Sequence, residues 1–330
     1  MNMTTTRPGR GRTALIWVLA VVITITAAIY QRSVGPTRPL RGVAEMAGQT
    51  FRYRFHRSRP APASYKVEIP SSVPTLAEML RGKRSEAGGP ALDPAIRGIL
   101  MQRRYNTNDP WTFTAMQREG GKLVGEIPVQ PPGGKVAYRV HLFRSEGPAA
   151  NESSGGDWAM RPLTAEDVPV GAVAVPATGP VVLRFTGHVP LAIILPHILL
   201  MFLGMLWSNR AGLEALRRGA DPTRLARGAL DLLVAGGFVF GPLMQRFAFG
   251  QWWTGVPFGW DLTDNKTLFA VVGWLIAWLL VRRARKRGDA SRARIWVVAA
   301  ALLTLVVFSI PHSVAGTQLD YATGKVITGK

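Results

Sequence analysis

A chain of 330 residues, 47% of them hydrophobic, leaves room for about two domains and for membrane spans. Cysteine is absent, which excludes disulfides, thiolate metal sites, covalent c-type haem attachment and cysteine nucleophiles. The 40 Lys and Arg against 20 Asp and Glu give a formal charge of +20, but the basic residues concentrate in short loops beside apolar segments, so they read as topological determinants and no nucleic-acid partner is expected.

Five segments are apolar enough to cross a bilayer, whose core takes about 20 helical residues: Thr13 to Tyr30, Val189 to Trp207, Leu230 to Phe247, Thr267 to Val281, and Ile295 to Pro311. The first exceeds the ~7 to 15 residues of a signal-peptide core and reads as an uncleaved anchor. The fourth is short and borrows residues from its flanks. MNMTTTRPGRGR carries three arginines, SNRAGLEALRRGADPTRLARG five, and RRARKRGDASRAR seven basic residues. The connection after the third span has only Lys266, with Arg246 at its edge, and the tail has Lys325 and Lys330. Five spans with the N-terminus inside predict that alternation. The chain then divides into a cytoplasmic N-terminus and anchor (1–30), an exoplasmic β-sandwich domain with flexible linkers (31–188), and a four-helix transmembrane domain (189–330). The last carries an outward tryptophan-rich loop (248–266) and an outward C-terminal tail. In a bacterium this is an inner-membrane protein with its β domain in the periplasm.

Residues 31–48 and 146–180, rich in Gly, Pro, Ala and Ser, read as linkers. Between them FRYRFHRS, SYKVEI, GILMQRRY, WTFTAMQ, KLVGEI, KVAYRVHLF and PVVLRF are strand-like runs separated by turn signals, and about seven such strands point to an antiparallel sandwich. One helix is expected in TLAEMLRGKRSEA. Trp111 and Tyr138 are expected in the core. The domain carries 21 basic against 13 acidic residues over 31–188, a charge of +8 that favours an anionic envelope partner.

The topology gathers unusual residues on the outer face. His197 lies eight residues into the second span, roughly 12 Å below its boundary at about 1.5 Å per residue. An ionisable group at that depth marks a candidate site, or a side chain satisfied by a neighbouring carbonyl. His312 follows the fifth span directly. Trp252, Trp253, Trp260, Asp261, Asp264, Asn265 and Lys266 fall in the third outer connection, and Asp320 and Tyr321 on the tail. The tryptophans also suit an interfacial belt, Asp264 suits a cap on the fourth helix, and Arg246 suits a pair with Asp261 or Asp264. Asp261, Asp264 and Asn265 could hold Ca²⁺, although that ion takes about 6 to 8 oxygens.

The stretch from Arg103 to Phe143, with Trp111, Met116 to Ile127 and Gly134 to Val140, resembles the fibronectin type III or immunoglobulin-like modules of bacterial envelope proteins. The resemblance implies binding or spacing rather than catalysis. WWTGVPFGWDLTDNKT, VPLAIILPHILLMFLGML and IPHSVAGTQLDYATGK together resemble a group of uncharacterised bacterial multi-pass membrane proteins with an exoplasmic sandwich domain, which implies the architecture and no activity. The loop is also similar to the tryptophan-rich haem-handling loops of cytochrome c assembly proteins. That similarity implies a platform of Trp252, Trp253, Trp260 and Asp261, with His197 and His312 as axial ligands of haem b.

Three functions follow. The first is a non-enzymatic binding or assembly component that engages an envelope partner through residues 50–185. The second is haem b or metal handling at the outer face. The third is transport, motivated by Asp231 and Arg246.

Overall fold

A computed structural model describes residues 10–69, 92–145, 161–288, 293–311 and 316–328. The helix expected in TLAEMLRGKRSEA lies outside them. The chain forms two compact units. One contains five helices; the other spans 37–188 and takes in residues 318–325.

In the helical unit, α1 is Arg10–Val34, α2 Leu191–Ala215, α3 Thr223–Phe249, α4 Leu262–Lys286 and α5 Arg294–Ser309. The first four are long and apolar enough to cross a membrane. The fifth, at 16 residues, falls below the usual span length. Every helix but α5 overruns its expected segment, because polar residues extend the hydrogen-bonded ladder past the apolar run.

The helices meet through small residues. Ala211, Ala226, Ala229, Ala277 and Ala300 form the buried seam, and a Cβ on Gly212 would come within 2.6 Å of the Ala301 Cβ. Such stripes let backbones approach where no hydrophobic force acts between helices in lipid. Buried side-chain bonds join the seam: Trp274 donates to Thr304 (2.8 Å) and Asn209 to Thr24 (3.0 Å). Leu15, Val22, Leu199, Phe269 and Leu302 face outward, as a lipid-facing surface requires.

α3 contains a π-helical turn at Ala235–Phe240. Its glycines admit close neighbours: a Cβ on Gly236 would meet the Met201 sulfur at 2.9 Å, and one on Gly237 the Thr267 methyl at 2.5 Å.

The β unit holds β1 (Leu40–Met46), β2 (Gln49–Phe55), β3 (Ser58–Pro60), β4 (Tyr65–Ile69), β5 (Ile96–Arg104), β6 (Thr112–Ala115), β7 (Gln117–Glu119), β8 (Lys122–Ile127), β9 (Lys135–Arg144), β10 (Val173–Val175) and β11 (Val181–Thr186). One sheet runs β3-β11-β9-β5-β6, with β10 on β9; a second runs β4-β8-β7; β1 and β2 form a hairpin. All pairings are antiparallel except β3 with β11. Alternate residues of the strands, including Phe55, Ile69, Leu100, Ile127, Tyr138, Leu183 and Phe185, share one core. Fully burying each aliphatic or Phe side chain contributes about 1.5–3 kcal/mol.

Two expectations need correction here. The segments read as linkers contribute β1 and β10. The β1–β2 turn places Ala47 (φ 51°) and Gly48 (φ 73°) in left-handed conformations, the geometry of a two-residue hairpin. WTFTAMQ is not one strand: Met116 is buried between β6 and β7, which belong to different sheets. Tyr138 is in the core as expected, whereas Trp111 is only half-buried and carries the Arg103 guanidinium 4.4 Å from its ring centroid.

Candidate functional site

The loaded sequence GQWWTGVPFGWDLTDNKT becomes the loop from α3 to α4 and the first turns of α4. α3 ends at Gly250, whose left-handed φ of 77° lets its amide return to the Arg246 carbonyl (2.9 Å). From there the loop folds onto the start of α4.

Three side chains at the start of α4 pin it. Asp261 is the N-cap, accepting from the Thr263 amide (2.8 Å). Its other oxygen accepts from the Thr317 amide (2.9 Å) and hydroxyl (2.6 Å). Asp264 accepts from the Thr254 amide (2.7 Å), the Thr254 hydroxyl (3.1 Å) and the Gln245 side-chain amide (3.0 Å). Asn265 accepts from the Val256 amide (2.7 Å). Residues at i, i+3 and i+4 share a helix face, so one face of α4 fastens α3, the loop at 254–256 and the tail.

The cap is therefore Asp261 rather than Asp264, which sits three residues inside the helix. Arg246 pairs with neither acid: it donates to the Gly250 carbonyl (2.5 Å) and lies 5.9 Å from the Trp252 ring. The neighbouring Gln245 reaches Asp264 instead. Lys266 is 4% exposed and Asp261 2%. The Lys266 ammonium donates to the Ile310 carbonyl (2.6 Å) with the Asp261 charge acting on it, the compensation a buried cation needs.

The tryptophans differ in exposure. Trp253 stacks on Phe238 of the π turn (5.2 Å between centroids) and donates to the Val256 carbonyl (3.1 Å). Trp252, Phe258 and Trp260 are exposed, at 57%, 82% and 78%.

His197 sits one residue after Pro196 in α2, and its Nδ1 lies 3.0 Å from the Gly236 carbonyl of the π turn. A carbonyl only accepts, so Nδ1 carries the proton and Nε2 is the atom left for another partner. His312 lies outside the described residues. Among the described residues no group of three or more His, Asp and Glu side chains could hold a metal. Both oxygens of Asp261, one oxygen of Asp264 and the Asn265 side-chain oxygen face protein donors.

Asp320 and Tyr321 belong to the β unit. Asp320 closes a turn through the Ala322 amide (3.0 Å) and the Thr323 hydroxyl (2.8 Å), which hold its carboxyl below the usual carboxylate range. The Tyr321 hydroxyl donates to the Lys135 carbonyl (3.0 Å), and the Arg104 guanidinium lies 4.9 Å from its ring centroid.

Gln245, Thr254 and Thr317 are the members that sequence reasoning missed. A glutamine inside an apolar helix was the available signal, since a buried amide requires partners. No family model, curated protein or solved structure matches the chain.

Proposed function

We propose that the chain is a non-enzymatic binding or assembly component of the bacterial inner membrane, presenting its β unit on the exoplasmic side to an envelope partner. One observation carries this reading. Each acid of the loaded loop is engaged by donors of its own chain, and what the loop offers outward is three aromatic rings, Trp252, Phe258 and Trp260. Two amphipathic indoles and a phenyl ring on a pinned loop suit seating at headgroup level or docking against a partner.

Other features support it. The arginine-rich connections on either side of α3 and α4 favour a cytoplasmic location for those ends by the positive-inside rule. An immunoglobulin-like reading of the β unit is supported by its strand neighbours. β11, β9, β5 and β6 are neighbours in one sheet and β4, β8 and β7 in another, a grouping that parallels the CFG and BED sheets of that class.

Two measurements test the proposal. Reporters fused after Gly250 and Gly324 should be exoplasmic and one after Gly288 cytoplasmic. Deleting residues 50–185 should abolish recovery of cross-linked envelope partners, while His197→Ala leaves recovery unchanged; the reverse pattern rejects the reading.

A second reading, haem b handling, draws support from the His197 orientation. A ligating imidazole characteristically donates its other ring N–H to a carbonyl, as Nδ1 does to Gly236. Purified protein from haem-replete cells should then show a reduced-minus-oxidised haem spectrum that His197→Ala removes, and a colourless preparation counts against it.

A further inference from the structure

The loop 250–261 joins one end of α3 to one end of α4. At the opposite ends of the same two helices is a cavity of about 610 Å³. Its walls carry Arg224, Arg227, Arg282, Arg285 and Lys286, contributed by both helices. Trp278 lies among them, with the Arg227 and Arg282 guanidiniums each 5.2 Å from its ring centroid.

These cations are incompletely neutralised. Arg227 pairs with Asp231 (2.8 Å) and Arg285 with Asp221 (3.2 Å), both at exposed positions. Arg224, Arg282 and Lys286 make no ion pair among the described residues. The contrast with nearby arginines is direct: Arg210 and Arg217 share Glu214 at 2.5 and 2.7 Å. Topology requires only that positive charge remain on one side of the membrane. It does not require cations from two helices to converge over an indole.

We propose that this cavity binds the headgroup phosphate of an anionic phospholipid, with Arg224, Arg282 and Lys286 on the phosphate and Trp278 along the glycerol and upper acyl region. Guanidinium forks match phosphate oxygens two at a time. Trp278 lies eight residues before Lys286, about 12 Å deeper along α4. Arg227 and Arg282 close on the Trp278 ring, so the cavity sets an apolar ring directly beside its cations, as a phosphate joined to a glycerol and acyl chains requires. A soluble phosphate ester shares the phosphate chemistry. The lipid is favoured because the cavity ends two helices long and apolar enough to span a bilayer.

The test uses the full chain in neutral detergent, titrated with phosphatidylglycerol and with phosphatidylcholine, and lipid adducts are read by native mass spectrometry. Phosphatidylglycerol should bind preferentially. Arg224→Gln with Arg282→Gln should weaken its binding about thirtyfold, about fivefold for each charge. A control pair of equal charge loss outside the cavity, Arg283→Gln with Arg287→Gln, should change it less than about threefold. Equal weakening by both pairs would mean diffuse attraction and overturn the site. So would equal binding of the two lipids by the unaltered protein, a comparison that holds even if a variant fails to insert. Displacement of phosphatidylglycerol by millimolar glycerol 3-phosphate would reassign the cavity to a soluble phosphate ester and overturn the lipid proposal.

Discussion

One carboxylate oxygen of Asp261 accepts both the amide (2.9 Å) and the hydroxyl (2.6 Å) of Thr317, 56 residues further along the chain. The other oxygen caps α4. A single acid therefore starts a helix and anchors the tail, and the two roles can be separated. Asp261→Asn keeps an acceptor for the Thr263 amide, since Asn caps as well as Asp, but turns an NH₂ toward the Thr317 donors. Leaving buried donors without their acceptor costs about 1–3 kcal/mol. The substitution also removes the charge that acts on Lys266, so the control is the capped amide alone: hydrogen exchange at the Thr317 amide should accelerate about tenfold or more, while that at the Thr263 amide changes less. Equal acceleration at both would show that the two roles are one.

The glycines of the π turn make a second prediction. A Cβ at residue 237 would lie 2.5 Å from the Thr267 methyl. Gly237→Ala should cost about 1–3 kcal/mol by overpacking, read as a lower unfolding temperature in detergent. Thr267→Ser removes that methyl and retains the hydroxyl that bonds the Thr263 carbonyl (2.9 Å). Combining the two substitutions should recover most of the loss.

In the β unit, Arg118 gathers the carbonyls of Leu92 (3.0 Å), Asp93 (3.0 Å) and Ile96 (2.8 Å) on one guanidinium. Lysine keeps the charge but not the fan of donors. Arg118→Lys should destabilise this unit by about 1–3 kcal/mol, measured as a lower denaturation midpoint. Arg52→Lys, on an exposed face of β2, should stay within about 0.5 kcal/mol.

The same unit should respond to alkaline pH in two directions. Burial, and then the Arg184 charge, hold the Lys135 ammonium down to about 8 from an ordinary 10.5. Between those values the unfolded chain binds the proton and the folded one does not, so stability from this group rises as pH climbs from about 8 to 10.5. Burial raises Tyr65, Tyr138 and Tyr321 above their ordinary 10.0. Their contribution is present below that value and is lost above it. Denaturation midpoints should therefore rise between pH 8 and 10 and fall beyond; Lys135→Met should abolish the rise and keep the fall.

Much of the β unit was legible because burial on one side writes an alternation into the chain: Tyr65, Val67 and Ile69 of β4 are buried and Lys66 between them is not. β1 was not legible, since none of its residues is fully buried and it pairs with β2 alone. The break at Met116 left a mark that was not read: Ala115 and Met116 are adjacent and both turned at least partly inward, which a single regular strand does not allow. At the loop, the acids were visible but their partners were not. Thr254 and Thr317 are fixed by the fold, and the choice of Gln245 over Arg246 depends on a rotation of about 100° between adjacent helical residues.

That choice traces back to the π turn. Twelve positions separate Leu233 from Gln245, and in an unbroken α-helix they would point about 120° apart. The wider turn absorbs one residue, which brings the angle to about 20°, and both side chains are indeed buried. The turn works as a phase corrector for the span. Excising one residue from 235–240 should leave both halves clocked as they are, whereas excising one from 241–244 should swing the amide of Gln245 away from Asp264 and leave the loop unlatched.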